Sequence, residues 1–226
     1  AAHGEKFPWT AENALAYELP YRFVQTPQSV LVVGAGAGND VAAALRVGSP
    51  EMRIDAVEID PAIHQIGRRH HPEAPYDDPR VHVHIGDARQ FMKQTLARYD
   101  IVVFGLLDSH ALLSGMTSLR LDNFVYTLES FAEAKRLLQP GGVVALSFST
   151  PPTNHIGRRI YDMLKRTFPA GSTQAFRMGF DSGVLYVAAD GEHKVTELPA
   201  AVAPTEVTSM YEAIPTTGLP PPATDD

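Results

Sequence analysis

Three groups of residues in the first half of the chain are of kinds that hold a nucleotide. Gly34-Ala35-Gly36-Ala37-Gly38-Asn39-Asp40 directly follows an apolar run and opens a helical stretch. Glycines placed this way let the backbone approach a ligand closely, and the helix start offers free N–H groups. Glu58, about 20 residues after Gly38, ends the next apolar run and is followed by Ile59. An acidic side chain there accepts hydrogen bonds from both ribose hydroxyls. Gly86-Asp87-Ala88 follows a third run. Asp87 is able to accept the adenine amino hydrogen, and it is equally suited to cap a helix. Each signal alone has a plain structural reading: a tight turn, a surface carboxylate, a cap. Together they fall at the ends of adjacent strands, where open α/β sheets bind ligands.

The reacting group belongs further along. Gly105-Leu106-Leu107-Asp108-Ser109-His110, with the loop to Asp122, follows a fourth apolar run. Its Asp108 is suited to aligning or deprotonating an amine, and its His110 to acting as a base near neutral pH. A loop histidine is also commonly inert. His82 and His84 share one face of the third run, but two histidines without a further ligand do not make a metal site, so none is expected.

These residues need a scaffold, and the chain between them has the alternation that builds one. Strands are expected over Ser29–Val33, Arg53–Glu58, Val81–Ile85, Asp100–Phe104 and Val143–Phe148. Helices are expected over Asp40–Val47, Pro61–Arg69 (capped by Asp60), Ala88–Arg98, Asn123–Leu138 and His155–Phe168. The long helix Asn123–Leu138 should stop at Pro140-Gly141-Gly142. Such alternation gives a parallel sheet with helices on both faces. Gln174–Met178 and Val184–Ala188 are joined by a loop too short for a crossover helix, so they should pair antiparallel. The fold class is therefore α/β and Rossmann-like, with a mostly parallel seven-stranded sheet ending in an antiparallel hairpin. Residues 29–190 form the domain, 1–28 an N-terminal extension with a short helix around Ala11–Glu18, and 191–226 a Pro-rich, irregular C-terminal tail. A nicotinamide fingerprint calls for Gly or Ala where Asn39 stands, and the final hairpin also differs from two equal dinucleotide-binding halves.

Composition excludes several classes. There are no cysteines, which removes disulfides, zinc thiolates and thiol nucleophiles. A net charge of -7 and the absence of a long basic cluster argue against a nucleic-acid partner. Arg68-Arg69-His70-His71 reads as a solvated helix end. No apolar run approaches the roughly 20 residues of a bilayer span, and Ala1–Lys6 leads into no signal-peptide core.

Leu31-Val32-Val33-Gly34-x-Gly36-x-Gly38, Val57-Glu58-Ile59-Asp60-Pro61, Asp78-Pro79-Arg80-Val81, Gly86-Asp87-Ala88-Arg89, Tyr99-Asp100, Tyr126-Thr127-x-x-Ser130-Phe131 and Leu138-x-Pro140-Gly141-Gly142 together resemble the spermidine synthases over residues 29–190. The resemblance implies a class I methyltransferase fold holding S-adenosylmethionine (AdoMet), its decarboxylated form or the product methylthioadenosine, with S-adenosylhomocysteine as product of methyl transfer. Gly34, Ala35, Gly36, Gly38, Asn39, Asp40, Glu58, Ile59, Asp87, Ala88 and Gly105 would line that ligand, Glu58 on the ribose and Asp87 on the adenine. The acceptor would be a small amine, aligned by Asp108. The family carries an Asp where this chain has Ala37, and it pairs with the aminopropyl ammonium. It carries another where this chain has Gly105, and that one binds and deprotonates the amine. The family's N-terminal β-hairpin domain is not expected in the first 28 residues.

Loss of the two carboxylates opens two alternatives: methyl transfer from AdoMet, and a non-catalytic domain that senses AdoMet or methylthioadenosine. The Gly-Ala-Gly-x-Gly-Asn-Asp turn and Leu-Leu-Asp-Ser segment also resemble spermidine-synthase-like domains fused to multi-spanning bacterial membrane proteins. That resemblance implies a cytoplasmic location, as the soluble part of a longer membrane protein, with homodimer formation left open.

Overall fold

The computed structural model describes residues 16–105, 125–148, 155–178, 183–191, 205–213 and 221–225. Eight strands form one sheet in the order β3-β2-β1-β4-β5-β7-β6-β8. They are β1 Ser29–Val33, β2 Arg53–Glu58, β3 Val81–Ile85, β4 Tyr99–Phe104, β5 Leu138–Phe148, β6 Thr173–Arg177, β7 Val184–Ala189 and β8 Thr205–Glu206. The first five run parallel; β7 pairs antiparallel with both β5 and β6. The expected parallel sheet with its terminal antiparallel hairpin is therefore present. The central strands are buried almost throughout, as their unalternating Val-Leu-Val and Ile-Val-Val sequences require.

Helices cover both faces. They are α1 Asn39–Val47, α2 Pro61–His70, α3 Ala88–Gln94, α4 Leu128–Arg136, α5 His155–Thr167 and α6 Thr208–Ala213. One core layer joins Leu31, Val33, Val102 and Phe104 to Met92, Phe131, Leu164 and Tyr211, that is, to α3, α4, α5 and α6. The other joins Val30, Val32, Ile101 and Val103 to Val41 and Ala44 of α1. Leu19, Tyr21 and Phe23, upstream of β1, are buried in this second layer. Among the described residues no helix is long and apolar enough to cross a membrane.

Three expectations need correction. The helix expected over Asn123–Leu138 is interrupted in its described part: Val125 is helical, Tyr126 and Thr127 are not, and α4 begins at Leu128, where the Thr127 hydroxyl caps it by accepting from the Ser130 amide at 3.1 Å. Pro140-Gly141-Gly142 does not merely stop a helix but lies within β5. A Cβ on Gly142 would sit 3.0–3.1 Å from the carbonyls of Asp100, Gln139 and Tyr99, so glycine lets β5 close on β4 where the register shifts. The region from Leu198 on is also not uniformly irregular. β8 pairs with β6, the Thr208 hydroxyl accepts from the Ala175 amide, and Tyr211 is buried against Tyr161 and Tyr186. Prolines 204 and 215 flank this strand-helix unit and do not interrupt it.

Candidate functional site

The sheet order reverses between β1 and β4: from β1 it proceeds to β3 at one edge, from β4 towards β5 and the antiparallel strands. The crevice beyond the carboxyl ends of these two strands is the binding place of this architecture. Gly34 leaves β1 there and Gly105 leaves β4, the Gly105 amide donating to the Val33 carbonyl at 3.2 Å.

The glycine turn is held from several sides. The amides of Gly34 and Ala35 both donate to Val57 O at 2.9 Å. The Tyr76 hydroxyl lies 2.7 Å from Gly36 O and 3.1 Å from Ala35 O. Gly38 has φ +102°, and a Cβ there would stand 2.8 Å from Pro75 Cγ and 3.1 Å from Tyr76 Cε2. A side chain at Gly67 of α2 would collide with the Ala37 carbonyl. At Gly36 the surroundings are different: φ is +56° and nothing but Gly34 O, at 4.0 Å, approaches the place of a Cβ. The turn is braced behind and open at Gly36.

Glu58 is 6% exposed, at the end of β2. One carboxylate oxygen accepts from the Gly36 amide at 2.7 Å and the other from the Asp60 amide at 2.8 Å. A carboxylate offers about four acceptor sites, so these two bonds fix its orientation and leave capacity for two hydroxyls. Asp60 caps α2 through the Ala62 amide, in keeping with its place before Pro61. Ile59 is half exposed beside it.

Asp87 caps α3 through the Gln90 amide at 2.8 Å, and its other oxygen has no hydrogen bond among the described residues. Gly86 donates to Glu58 O at 2.9 Å, which ties the ends of β2 and β3 together. Thus Gly34 to Asp40, Glu58, Ile59, Asp87, Ala88 and Gly105 are all carried at the carboxyl edge of the parallel strands. Asn39 is exposed, with its Oδ1 3.2 Å from His71 Nε2. Asp40 lies buried in the first turn of α1, and burial pushes its carboxyl from 3.8 up to about 7. Asp108 and His110 lie outside the described residues.

His84 pairs with Asp55 at 2.8 Å, His82 is exposed, and among the described residues no group of three His, Cys, Asp or Glu is placed to hold a metal. Two groups give no advance signal in the sequence. Tyr76 sits in a short 3-10 turn, Pro75–Asp77, with no periodicity to mark it as the brace of the glycine turn. Asp225 forms a two-pronged pair with Arg89 (2.7 and 2.8 Å) and accepts from the Thr127 hydroxyl at 2.9 Å.

Fold and strand order define an α/β Rossmann-like domain of the methyltransferase type. Solved structures of similar fold include a spermidine synthase in complex with the transition state analogue AdoDATO, with TM-score 0.65, 16% identity, and coverage of 89% of this chain and 73% of that one. They also include an O-methyltransferase from Bacillus cereus in complex with SAH, with TM-score 0.57, 17% identity, and coverage of 78% and 80%. Residues 11–169 match the spermine/spermidine synthase domain, and the chain belongs to that family. A polyamine aminopropyltransferase of Korarchaeum cryptofilum is 28% identical over 149 residues, 64% of this chain and 43% of that protein. The chain spans about half the length of the curated relatives it matches.

Proposed function

We propose that this domain binds an adenosine sulfonium nucleotide along the glycine turn and transfers its alkyl group to a small amine, as a polyamine aminopropyltransferase-like enzyme. The observation that carries the reading is Glu58. It is a buried carboxylate oriented by the Gly36 and Asp60 amides, beside a turn that is open at Gly36. That arrangement suits the paired hydroxyls of a ribose. Asp87, at the end of β3, is the acceptor for the adenine amino group. The relatives, polyamine aminopropyltransferases and spermidine synthases, support an amine acceptor.

The chemistry asks little of the protein. The neutral amine nitrogen attacks the carbon bound to sulfur, the C–S bond breaks, and its electron pair stays on sulfur as a neutral thioether. The new ammonium then releases a proton. The sulfonium is already a good leaving group, so catalysis consists of in-line positioning and proton removal. Asp108 is the proposed aligning carboxylate and His110 the proposed base. A second reading, methyl transfer from AdoMet, is favoured by Ala37, where no side-chain charge opposes a carboxylate.

Calorimetric titration of AdoMet, decarboxylated AdoMet, methylthioadenosine and NAD in parallel tests the nucleotide reading. Turnover with a polyamine acceptor then tests the transfer. Binding of the adenosine thioether and sulfonium compounds, with release of methylthioadenosine when amine is added, is the expected result. Binding of NAD alone would overturn it. Binding without turnover of any amine would leave a sensor and remove the transferase.

A further inference from the structure

Residues 221–225 lie against the first turns of α3 and α4. The Leu128 amide, the first of α4, donates to Ala223 O at 3.0 Å, and the Asp225 amide donates to the Glu129 carboxylate at 3.1 Å. The Asp225 carboxylate accepts from both terminal nitrogens of Arg89, at 2.8 and 2.7 Å, and from the Thr127 hydroxyl at 2.9 Å. Arg89 Nη1 also donates to the Thr127 hydroxyl at 2.8 Å. α3 begins three residues after β3, and α4 runs back to the start of β5. Both first turns therefore lie at the carboxyl edge of the parallel strands, where Glu58 and Asp87 also stand.

α3 needs support from outside. It has seven residues, too few to hold a helix without tertiary contacts. Asp87 is its cap and Arg89 its second residue, so the two share one turn. One Asp87 oxygen is taken by the Gln90 amide, and the other is the one available to an adenine amino group. Arg89 is 7% exposed, and a guanidinium so enclosed is tolerated only when its donors are met. The carboxylate that meets them comes from 136 residues along the chain. One side chain thus joins the turn that carries Asp87 to the cap of α4. Without it, Arg89 gains by turning out towards water, and the first turn of α3 is free to follow.

We propose that Asp225 is a positioning residue for the adenine end of the nucleotide site: through Arg89 it fixes the first turn of α3, and with it the Asp87 oxygen that recognises the exocyclic amino group. This rests on the nucleotide reading of the glycine turn and on Asp87 as the adenine acceptor. Asp225 itself touches no ligand. Its effect is on which purine is accepted, because a carboxylate discriminates an amino group from an oxygen only while it is held in place. A carboxylate free to shift takes water as its partner and treats the two purines nearly alike.

The test is calorimetric titration with methylthioadenosine and with methylthioinosine, in which an oxygen replaces the amino group. Wild type should favour methylthioadenosine by on the order of 10- to 100-fold, the effect of one charge-assisted hydrogen bond. D225A should bring the two affinities to within about threefold of each other, chiefly by weakening methylthioadenosine. The ratio of two affinities does not depend on how much of the protein is folded, so a merely structural role leaves it unmoved. Y211F serves as the comparison: it removes the hydroxyl paired with Tyr186 at 2.9 Å, and should keep the wild-type ratio. A D225A ratio equal to that of wild type, or a Y211F ratio that falls as far, overturns the assignment of Asp225 and leaves the nucleotide reading standing. Equal binding of the two purines by wild type overturns Asp87 as the adenine acceptor, and the proposal with it. Failure of wild type to bind either compound overturns the nucleotide reading itself. If D225A does not fold, R89K is titrated in its place, since it keeps the positive charge and gives up the two-pronged pairing. A reduced ratio is then expected, and the wild-type ratio refutes the proposal.

Discussion

Replacing Asp40 by Asn should make the protein more stable, and only above mildly acidic pH. Burial raises the Asp40 carboxyl from its ordinary 3.8 to about 7 in the folded state, so the folded protein holds this proton more tightly than the unfolded chain does. Below pH about 4 the group is protonated in both states and burial of the neutral acid costs little. As pH rises from about 4 to about 7 the unfolded chain releases the proton while the folded one retains it, and stability falls. Above pH 7 the folded state must carry the buried charge. At about 1.4 kcal/mol per pH unit, the interval from 3.8 to about 7 amounts to about 4 kcal/mol. The start of α1 favours a negative charge there and lowers that figure to about 2–4 kcal/mol. Asn has the same shape and no charge to bury. Urea or thermal melts of wild type and D40N between pH 4 and pH 8 should therefore coincide at the acid end and separate as pH rises. At pH 8 the variant should melt higher by roughly 5–15 °C, at 2–4 °C per kcal/mol for a chain of this size. Tyr21 and Tyr76, whose hydroxyls are pushed up by burial and by the Asp40 charge, stay neutral throughout and are common to both proteins. A difference between variant and wild type that does not change with pH, or a wild type more stable at pH 8, would refute the view of Asp40 as an uncompensated buried charge.

Three further outcomes follow from geometry. Glu58→Gln sets an amide NH2 against one of the Gly36 and Asp60 amides that now donate to the carboxylate. It should cost about 1–3 kcal/mol in melts and weaken methylthioadenosine by roughly tenfold or more in calorimetry. Gly38→Ala puts a Cβ 2.8 Å from Pro75 Cγ at φ +102°, and should destabilise by about 1–3 kcal/mol in urea titration. Asp225→Ala leaves the Arg89 guanidinium without its two-pronged partner and should lower stability by about 1–3 kcal/mol at neutral pH. Because the Arg89 pairing holds the Asp225 carboxyl below the ordinary carboxylate range, its contribution is present above pH about 4 and fades as pH falls further. The difference between D225A and wild type should accordingly shrink in acid melts.

The sheet was legible because its buried strands are plain apolar runs, and because Gly34, Glu58 and Asp87 each stand at the residue where such a run ends. Asp87 shows how far that reading goes: its position predicts both a cap and a ligand contact, and the structure displays the cap. What was not legible depends on pairings between distant residues. The room for the Asp40 carboxylate follows from the absence of a side chain at Gly105, just past the end of β4 and 65 residues further along the chain. Tyr76 reaches the turn from a Pro-rich 3-10 element that has no period. Val207 and Tyr211 are buried within a stretch whose prolines dominate its composition, so two apolar anchors were outweighed by their neighbours. Thr127 was visible as part of a motif, but its bond to Asp225 was not, since that carboxylate lies 98 residues further along.

That last separation bears on how the chain reaches its fold. Arg89 and Asp225 are 136 residues apart, and the first amide of α4, on Leu128, donates to Ala223 O at 3.0 Å. Contacts so remote in sequence carry a large loop-closure entropy and are made late. As the polypeptide leaves the ribosome, the strands from β1 to β5 and the helices between them emerge while Arg89 still lacks its carboxylate and α4 its final acceptor. Residues 223–225 then act as a latch on a body already assembled.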